Sequence, residues 1–295
     1  MHRILKKHRT LFIILILVTA IVLYNFLFLW FLNSPRISYT TLHFNKNKEK
    51  LLLNDSLLWD TGATGTVIYD GDNGEKTCEK IWISYILSFD AFHKARFCKL
   101  YYLSQFNPVY SLNISQLCFS IVKNMPEEMK YDNEIGSIGM NVINKANWII
   151  NFQSEKVEIL PDNKIYKTKH RPQLIFKYKR KNIPKTQLDF SVCKLENVLI
   201  DAGSNGELTL LKSDIEIINK KYKPVDTLTV SSYGRHSISP TIQNCYVYDS
   251  IVINNVCFNN IEIIENNIDR VIGFKFFKRF NQVFLNTKEK RFYFY

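Results

Sequence analysis

Two aspartates, Asp60 and Asp201, each begin a short glycine-containing turn that follows an apolar stretch. The first turn reads Asp-Thr-Gly-Ala-Thr after Leu-Leu-Trp, and the second reads Asp-Ala-Gly-Ser-Asn after Val-Leu-Ile. Two carboxyl groups held close together can share one proton, so that one is an acid while the other takes a proton from water. Such a pair could hydrolyse a bond with one water molecule. A single Asp-Thr-Gly is equally consistent with a polar turn at the end of a strand.

A second repeated block follows each aspartate turn and indicates how the turns are positioned. Gly139 begins the first block and Gly273 the second, each preceded by two residues that include an isoleucine. Both blocks then continue with a short helical turn, an asparagine, an apolar strand, a charged hairpin and a last strand. This shared order predicts a duplicated unit rather than two unrelated turns.

Taken together, these motifs resemble the retropepsin and pepsin-like aspartic peptidases over roughly residues 38–295. The resemblance implies an all-β fold of two homologous β-barrel-like lobes, residues 38–165 and 186–295, joined by a basic connector at 166–185. The abundance of Ile, Phe, Tyr and Val agrees with a β-rich chain. In that family the late glycine lets two backbone segments cross closely, because it has no Cβ.

The resemblance also implies a role for each residue of the site. Asp60 and Asp201 are the expected catalytic acids of an aspartic endopeptidase that acts on a peptide or protein substrate without a cofactor or metal. The expected supports of the turns are Thr61, Gly62, Thr64, Gly203, Ser204, Gly139 and Gly273.

Ala202 departs from the family pattern, in which a Thr or Ser at this place bonds across to the opposing turn. This leaves open an alternative function, a catalytically inactive peptide-binding or envelope-assembly module with the same fold. A third interpretation is a membrane-anchored structural β protein whose Asp-Gly turns are only turns. Ser204 could offer a hydroxyl to Asp201 whereas Ala63 cannot do so for Asp60, which predicts the ionised carboxylate on Asp201.

Hairpins that cover the substrate, called flaps, are implied between each aspartate turn and its late glycine. Tyr233 and Gly234 lie in a polar, glycine-bearing segment that is typical of a hairpin tip. An ordinary surface aromatic is the alternative for Tyr233. In the first lobe, residues 82–90 are the best candidate, although they contain no glycine.

The N-terminal region predicts a membrane segment. Residues 11–32 are almost continuously apolar, which is long enough for a transmembrane helix. The basic tail 1–10 predicts a cytoplasmic N-terminus and an uncleaved signal anchor, with the lobes outside the cytoplasm in a bacterial envelope. A cleaved secretory signal is the alternative, but no small-residue cleavage site follows the apolar run.

Six cysteines fall on the predicted outer side, where disulfides persist. Cys98 and Cys118 lie between Asp60 and Gly139, whereas Cys245 and Cys257 occupy the corresponding interval after Asp201. One bridge within each lobe is therefore a hypothesis, and buried free thiols are the alternative. The six histidines show no metal-ligand spacing.

The formal net charge of +12 does not indicate a nucleic-acid-binding protein. Four positive residues belong to the N-terminal tail, and no basic helix or aromatic RNA-binding signature accompanies the others. The densest remaining cluster lies between Lys167 and Lys185. It predicts a solvated connector, with contact to an anionic membrane surface as the alternative.

Overall fold

The computed structural model describes residues 11–24, 27, 34–69, 79–89, 95–122, 133–164, 166, 170–180, 182–232 and 240–295, with the backbone alone at 79–89 and 95. These residues form 21 β-strands and, besides an N-terminal helix, three short helices. The expectation of a predominantly β chain is confirmed to that extent.

An eight-stranded sheet is built from the first half of the chain. Its strands are β1 (Arg36–Ile37), β3 (Leu52–Leu53), β4 (Leu57–Trp59), β5 (Thr66–Tyr69), β6 (Glu79–Phe89), β7 (Ala95–Val109), β8 (Leu112–Val122) and β9 (Gly136–Ile138). The strand order is β3-β4-β9-β5-β8-β7-β6, and β1 pairs with β8 outside this path. The late strand β9 is thereby inserted between β4 and β5, beside the first aspartate turn.

A seven-stranded sheet repeats this arrangement in the second half. Its strands are β13 (Lys185–Asp189), β14 (Lys194–Ile200), β15 (Leu208–Leu211), β16 (Asp226–Ser232), β17 (Thr241–Ile253), β18 (Val256–Asn266) and β19 (Val271–Ile272). Their order is β13-β14-β19-β15-β18-β17-β16, so each strand has its counterpart in the first sheet. The directions match as well, since β4 and β9 are parallel and so are β14 and β19.

A six-stranded sheet joins the two halves. Its strands are β2 (Thr41–His43), β10 (Asn147–Asn151), β11 (Lys156–Leu160), β12 (Leu174–Lys177), β20 (Gln282–Asn286) and β21 (Arg291–Phe294). Their order is β12-β21-β20-β10-β11-β2, so three strands of one half face their three counterparts. At its centre, antiparallel pairing places Ile149 opposite Phe284 and Ile150 opposite Val283. Residues 174–177, expected within the connector, thus form a strand of this sheet.

The sequence pattern explains the positions of these strands. The central strand β10 (Asn-Trp-Ile-Ile-Asn) has four buried residues in succession, whereas β11 beside it alternates exposed and buried side chains. A continuous apolar run suits a strand covered on both faces, and alternation suits a half-covered one. One hydrophobic core runs through both halves and includes Trp59, Trp148 and Phe274.

Helices occupy little of the described chain. Residues 11–24 form helix α1, and the three short helices are α2 (Met140–Ile143), α3 (Lys212–Ile218) and α4 (Phe274–Phe277). Within the described part, no helix has the length and apolarity needed to span a membrane. Of the predicted span 11–32, residues 25, 26 and 28–32 lie outside the described residues.

The hypothesis of one disulfide within each lobe is wrong, since the described cysteines are free thiols. The register of β7 and β8 places Cys118 opposite Tyr102, four residues from Cys98 and hence roughly 13 Å away along the strand. The register of β17 and β18 places Cys257 opposite Val252, seven residues or roughly 23 Å from Cys245. A disulfide requires Cα atoms within about 7 Å.

Candidate functional site

The two aspartates lie at equivalent places, one residue beyond the ends of β4 and β14. The amide of Asp60 donates to the carbonyl of Ile138 at 3.0 Å, and the amide of Asp201 donates to that of Ile272 at 2.9 Å. Each aspartate therefore begins its turn while its backbone is still held by the inserted late strand. This backbone arrangement is the same in both halves.

The carboxylates of Asp60 and Asp201 meet between the two turns. A Cβ added to Gly203 would lie 2.6 Å from the Cγ of Asp60, and one added to Gly62 would overlap the carboxylate of Asp201. Each carboxylate thus covers the glycine of the opposite turn, where a side chain has no room. The two carboxyl groups are close enough for the charge of Asp60 to raise the pKa of Asp201.

Backbone amides donate hydrogen bonds to both carboxylates. The amide of Ala63 donates to Oδ1 of Asp60 at 2.9 Å, and the amide of Gly203 donates to Oδ1 of Asp201 at 2.8 Å. The amide of Gly62 in the opposite turn also lowers the pKa of Asp201. These donors fix the carboxylate orientations before any substrate is present.

Burial and the neighbouring charge favour the protonated form of Asp201. Burial has the largest effect and the charge of Asp60 the next, and together they raise the pKa of Asp201 to about 7 despite the amides of Gly203 and Gly62. The expectation that Ser204 favours the ionised form of Asp201 stays a prediction, and the direction of this shift does not support it. Within the described residues, the hydroxyl of Ser204 makes no hydrogen bond to Asp201. The backbone carbonyl of Ser204 accepts the amide of Phe274 at 2.7 Å.

Thr61 connects the two turns through its buried hydroxyl. Oγ1 donates to the carbonyl of Ile200 at 2.8 Å and accepts the amide of Ala202 at 2.9 Å. Ala202 is fully buried at the matching position and carries no hydroxyl. Thr61 therefore makes its hydrogen bonds to the opposite turn, whereas Ala202 cannot make the equivalent ones, as the sequence indicates.

The late glycines lie directly against the turns. A Cβ at Gly139 would be 2.8 Å from the carbonyl oxygen of Ala63, and one at Gly273 would be 2.9 Å from that of Ser204. The amide of Met140 donates to Ala63 at 2.8 Å. Thr64, which is exposed, accepts the amide of Asn141 at 3.2 Å through its carbonyl. Close approach of two backbones, rather than a special backbone angle, requires glycine at 139 and 273.

Sequence reasoning missed an ion pair under the second turn. Glu207 is 1% exposed, and its carboxylate accepts hydrogen bonds from Nε and Nη2 of Arg279. The amide of Glu262 donates to the same carboxylate at 2.8 Å, and the carbonyl of Glu207 accepts the amide of Gly273. The signal available in the sequence was an acid directly before the apolar strand Leu208–Leu211.

The first turn has an uncharged counterpart of this ion pair. Thr66 occupies the place of Glu207, and its hydroxyl donates to Oδ1 of Asn141 at 2.9 Å. The amide of Gly139 in turn donates to Thr66 Oγ1 at 3.4 Å. The amide of Gly139 is therefore bonded to a side-chain hydroxyl and the amide of Gly273 to a backbone carbonyl, at equivalent positions of the two halves.

The flap candidates cannot be placed against the carboxylates. Tyr233 and Gly234 lie outside the described residues, as do the side chains of the first-lobe candidate. The described strands β6 and β7, and likewise β16 and β17, form antiparallel hairpin arms at the edges of the two sheets. No group of three His, Cys, Asp or Glu side chains in the described chain is placed to hold a metal ion.

The sequence matches no family model and no curated protein. Among solved structures it is similar to the crystal structure of a retropepsin-like aspartic protease from Rickettsia conorii, with a TM-score of 0.29 and 16% sequence identity. The match covers 44% of this chain and 96% of that one. A functional assignment must therefore come from the geometry of this chain.

Proposed function

We propose that this chain is an aspartic endopeptidase, which hydrolyses peptide bonds with a water molecule activated between Asp60 and Asp201. One observation carries the proposal: two carboxyl groups from equivalent turns each lie against the glycine of the opposite turn, and burial together with the charge of Asp60 raises the pKa of Asp201. A structural turn gains nothing from bringing two acids together. A shared proton is what general acid and general base catalysis at one water requires.

The proposed reaction uses each carboxyl group once as acid and once as base. Asp60 accepts a proton from water while the water oxygen forms a bond to the peptide carbonyl carbon. Asp201 gives its proton to the carbonyl oxygen, which would otherwise become an oxyanion. The C–N bond then breaks as the proton on Asp60 passes to the leaving nitrogen, and Asp201 recovers its proton from the tetrahedral intermediate. The pair is restored with one proton.

The fixed surroundings of the pair support this function. The amides of Ala63 and Gly203 each hold one carboxylate oxygen, and Thr61 joins the two turns. Groups that are oriented in advance need not reorganise as charge develops, which is a main source of catalytic power. The missing hydroxyl at Ala202 removes one bond between the turns but neither acid.

Cleavage of a diverse peptide library tests the proposal. The purified full chain is compared with Asp60→Asn, with Asp201→Asn and with the exposed control Asp162→Asn, from about pH 4 to about pH 7.5. We expect both active-site variants to lose at least about 100-fold in rate while the control keeps full activity. Cleavage that survives both active-site substitutions would contradict the proposal. A folded wild-type chain that cleaves nothing would favour the inactive peptide-binding alternative.

We further propose that residues 11–32 anchor the chain in a membrane, with the lobes outside the cytoplasm. The support is the long apolar run and the basic residues before it, Arg3, Lys6, Lys7 and Arg9. Alkaline extraction of membranes from cells that express the full chain tests the anchor. Retention in the pellet, lost when Leu15 and Val18 are both replaced by Lys, is expected. Release of the unaltered chain would contradict it.

A further inference from the structure

A groove of about 1270 Å³ lies on the second half of the chain, apart from the aspartate turns. One wall is formed by β12 with the residues that follow it and the other by β13 and the start of β14, and residues 289–291 of the hairpin between β20 and β21 also line the groove. None of its lining residues belongs to the turns at 60–64 or 201–205. The peptidase chemistry proposed above does not use it.

The groove is strongly basic. Seven lysines and arginines line it against three acidic residues. Two of the cations are neutralised locally, since Lys194 lies 3.4 Å from Asp189 and Arg291 lies 3.3 Å from Glu289. Four others are exposed and have no acidic partner within the described part of the chain: Lys177, Lys179, Arg180 and Lys185. Like charges at this density repel one another, and an anionic ligand would relieve that repulsion.

The shape of the groove favours an extended polypeptide over a small anion or a flat surface. Its volume exceeds the roughly 300–1,000 Å³ of ordinary small-molecule pockets. Both walls are edge strands, since β12 and β13 each end their sheet. Exposed amide side chains at Gln187, Asn197 and Asn255 supply both donors and acceptors along it. Edge strands with such groups suit a peptide backbone, whereas a bilayer surface would not enter a concave site.

The groove is connected to the proposed catalytic centre by one strand. Lys194 and Asn197 line it near the start of β14, and the same strand leads into Asp201. Asn197 lies four positions before Asp201 in the chain, and Lys194 lies seven positions before it. At the rise of a β-strand these separations are roughly 13 Å and 23 Å. A few extended substrate residues span that distance.

We propose that this groove is an exosite that binds an acidic segment of the protein substrate while a neighbouring segment occupies the aspartate centre. The assignment rests on the proposed peptidase function and adds a substrate class to it. Binding at a second point raises the local concentration of the scissile segment without a new contact at the carboxylates. Proteins with an acidic stretch a few residues from the cleaved bond are therefore the preferred substrates.

Binding is measured first in a chain that cannot cleave, so that the exosite is tested apart from the chemistry. The probe is a fluorescently labelled peptide of alternating Glu and Ser, and its match has Gln in place of Glu. The full chain with Asp60→Asn and Asp201→Asn provides the background. The groove variant adds Lys177→Gln, Arg180→Gln and Lys185→Gln. The control variant instead adds Lys156→Gln, Lys220→Gln and Lys223→Gln, which are exposed and lie outside the groove.

We expect the acidic peptide to bind, and the groove variant to lose about tenfold in affinity while the control variant loses less than about twofold. Equal losses in both variants would overturn the proposal, because they would show a general effect of net charge. Failure of the acidic peptide to bind better than its Gln match would also overturn it. Groove-dependent binding to vesicles of anionic lipid, without peptide binding, would assign the site to a lipid surface instead.

Kinetics with the catalytic aspartates intact then links the groove to turnover. A cleavable peptide extended by the acidic segment should show a lower KM than the same peptide extended by the Gln segment, with kcat unchanged. The groove variant should lose that difference and still cleave the Gln-extended peptide at the wild-type rate. Equal KM values for the two peptides in the wild type would overturn the exosite even if catalysis is established. Absence of all cleavage, with groove-specific binding intact, would instead count against the peptidase function alone.

Discussion

The two halves of the molecule hold their aspartates with the same backbone but with different side chains. In both, a parallel late strand binds the amide of the aspartate, and a glycine at 139 or 273 lies against the turn. The side-chain supports differ. The first half uses the hydroxyl of Thr66, whereas the second uses the buried ion pair of Glu207 and Arg279. The close crossing of two backbones at the late glycine is thus common to both halves, whereas the side chains beside that crossing differ between them.

The two acids also differ in their surroundings. Both carboxylates accept a backbone amide from their own turn, so this bond alone does not distinguish them. Burial and the charge of Asp60 raise the pKa of Asp201. Ala202 adds a second difference, because only Thr61 has a hydroxyl between the turns. A duplicated backbone can therefore position two acids for different tasks.

The largest effect is expected from breaking the feature that both halves share. Gly139→Ala and Gly273→Ala would each place a Cβ inside the van der Waals distance of two carbonyl oxygens. We expect each variant to lose more than about 4 kcal/mol of unfolding free energy, measured by urea denaturation, because backbone cannot yield as a flexible side chain does.

Gly65→Ala is the matched control for these two variants. It lies beside the first turn, yet a Cβ there would meet no atom within 4 Å. Its stability should stay within about 0.5 kcal/mol of the wild type. If Gly139→Ala were tolerated as well as this control, the close crossing described here would be wrong.

The next effect is expected from the support that only the second half has. Arg279→Met leaves the buried carboxylate of Glu207 without its partner and should cost about 3 kcal/mol in urea denaturation. Adding Glu207→Gln should restore part of the loss, since the unpaired charge is then removed. Arg36→Met, an exposed arginine elsewhere, is the control and should be nearly neutral. An equal loss in Arg279→Met with and without Glu207→Gln would contradict a role for the charge.

The sequence predicts the parts of the site that depend on local backbone requirements. The Asp turns and the late glycines recur in the same order, so Asp60, Asp201, Gly139 and Gly273 could be paired without a structure. The mainly β character was implied by the family resemblance, and the composition agreed with it. These features need only short stretches of chain and the known geometry of glycine.

The features that sequence reasoning missed depend on contacts between distant residues. Arg279 reaches Glu207 across 72 positions, and no local pattern links them. The cysteine hypothesis failed because their order along the chain does not give strand register, which separates the two members of each proposed pair. Ser204 is close to Asp201 in sequence, but the hydrogen bonds that it makes in the described structure use its backbone amide and carbonyl.

The inequality of the two acids can be measured through pH. The pKa of Asp201 is raised to about 7 in the folded chain, whereas a free Asp has about 3.9. Between these values the folded state holds a proton that the unfolded state releases. The unfolding free energy should therefore fall as pH rises through this window, by up to about 1.4 kcal/mol per pH unit. Asp201→Asn should remove this dependence in urea denaturation at several pH values, and parallel curves for the two proteins would contradict the assignment.

The smallest expected effect comes from making the two halves more alike. Ala202→Thr introduces a hydroxyl at the place equivalent to Thr61, which bonds across to the opposite turn at 2.8 and 2.9 Å. By the symmetry of the turns, the new hydroxyl should reach backbone groups next to Asp60 and stabilise the fold by about 1 kcal/mol. Ala202→Val has the same shape without the hydroxyl, so it separates the bond from the added volume, which alone is neutral or unfavourable in a packed core. Thermal or urea denaturation of the two variants decides between them. If Ala202→Thr is more stable than Ala202→Val, the native site tolerates a missing hydrogen bond between its turns. If the two variants are equally stable, the late strands already hold the turns rigidly, and a second hydroxyl opposite Thr61 adds no stability.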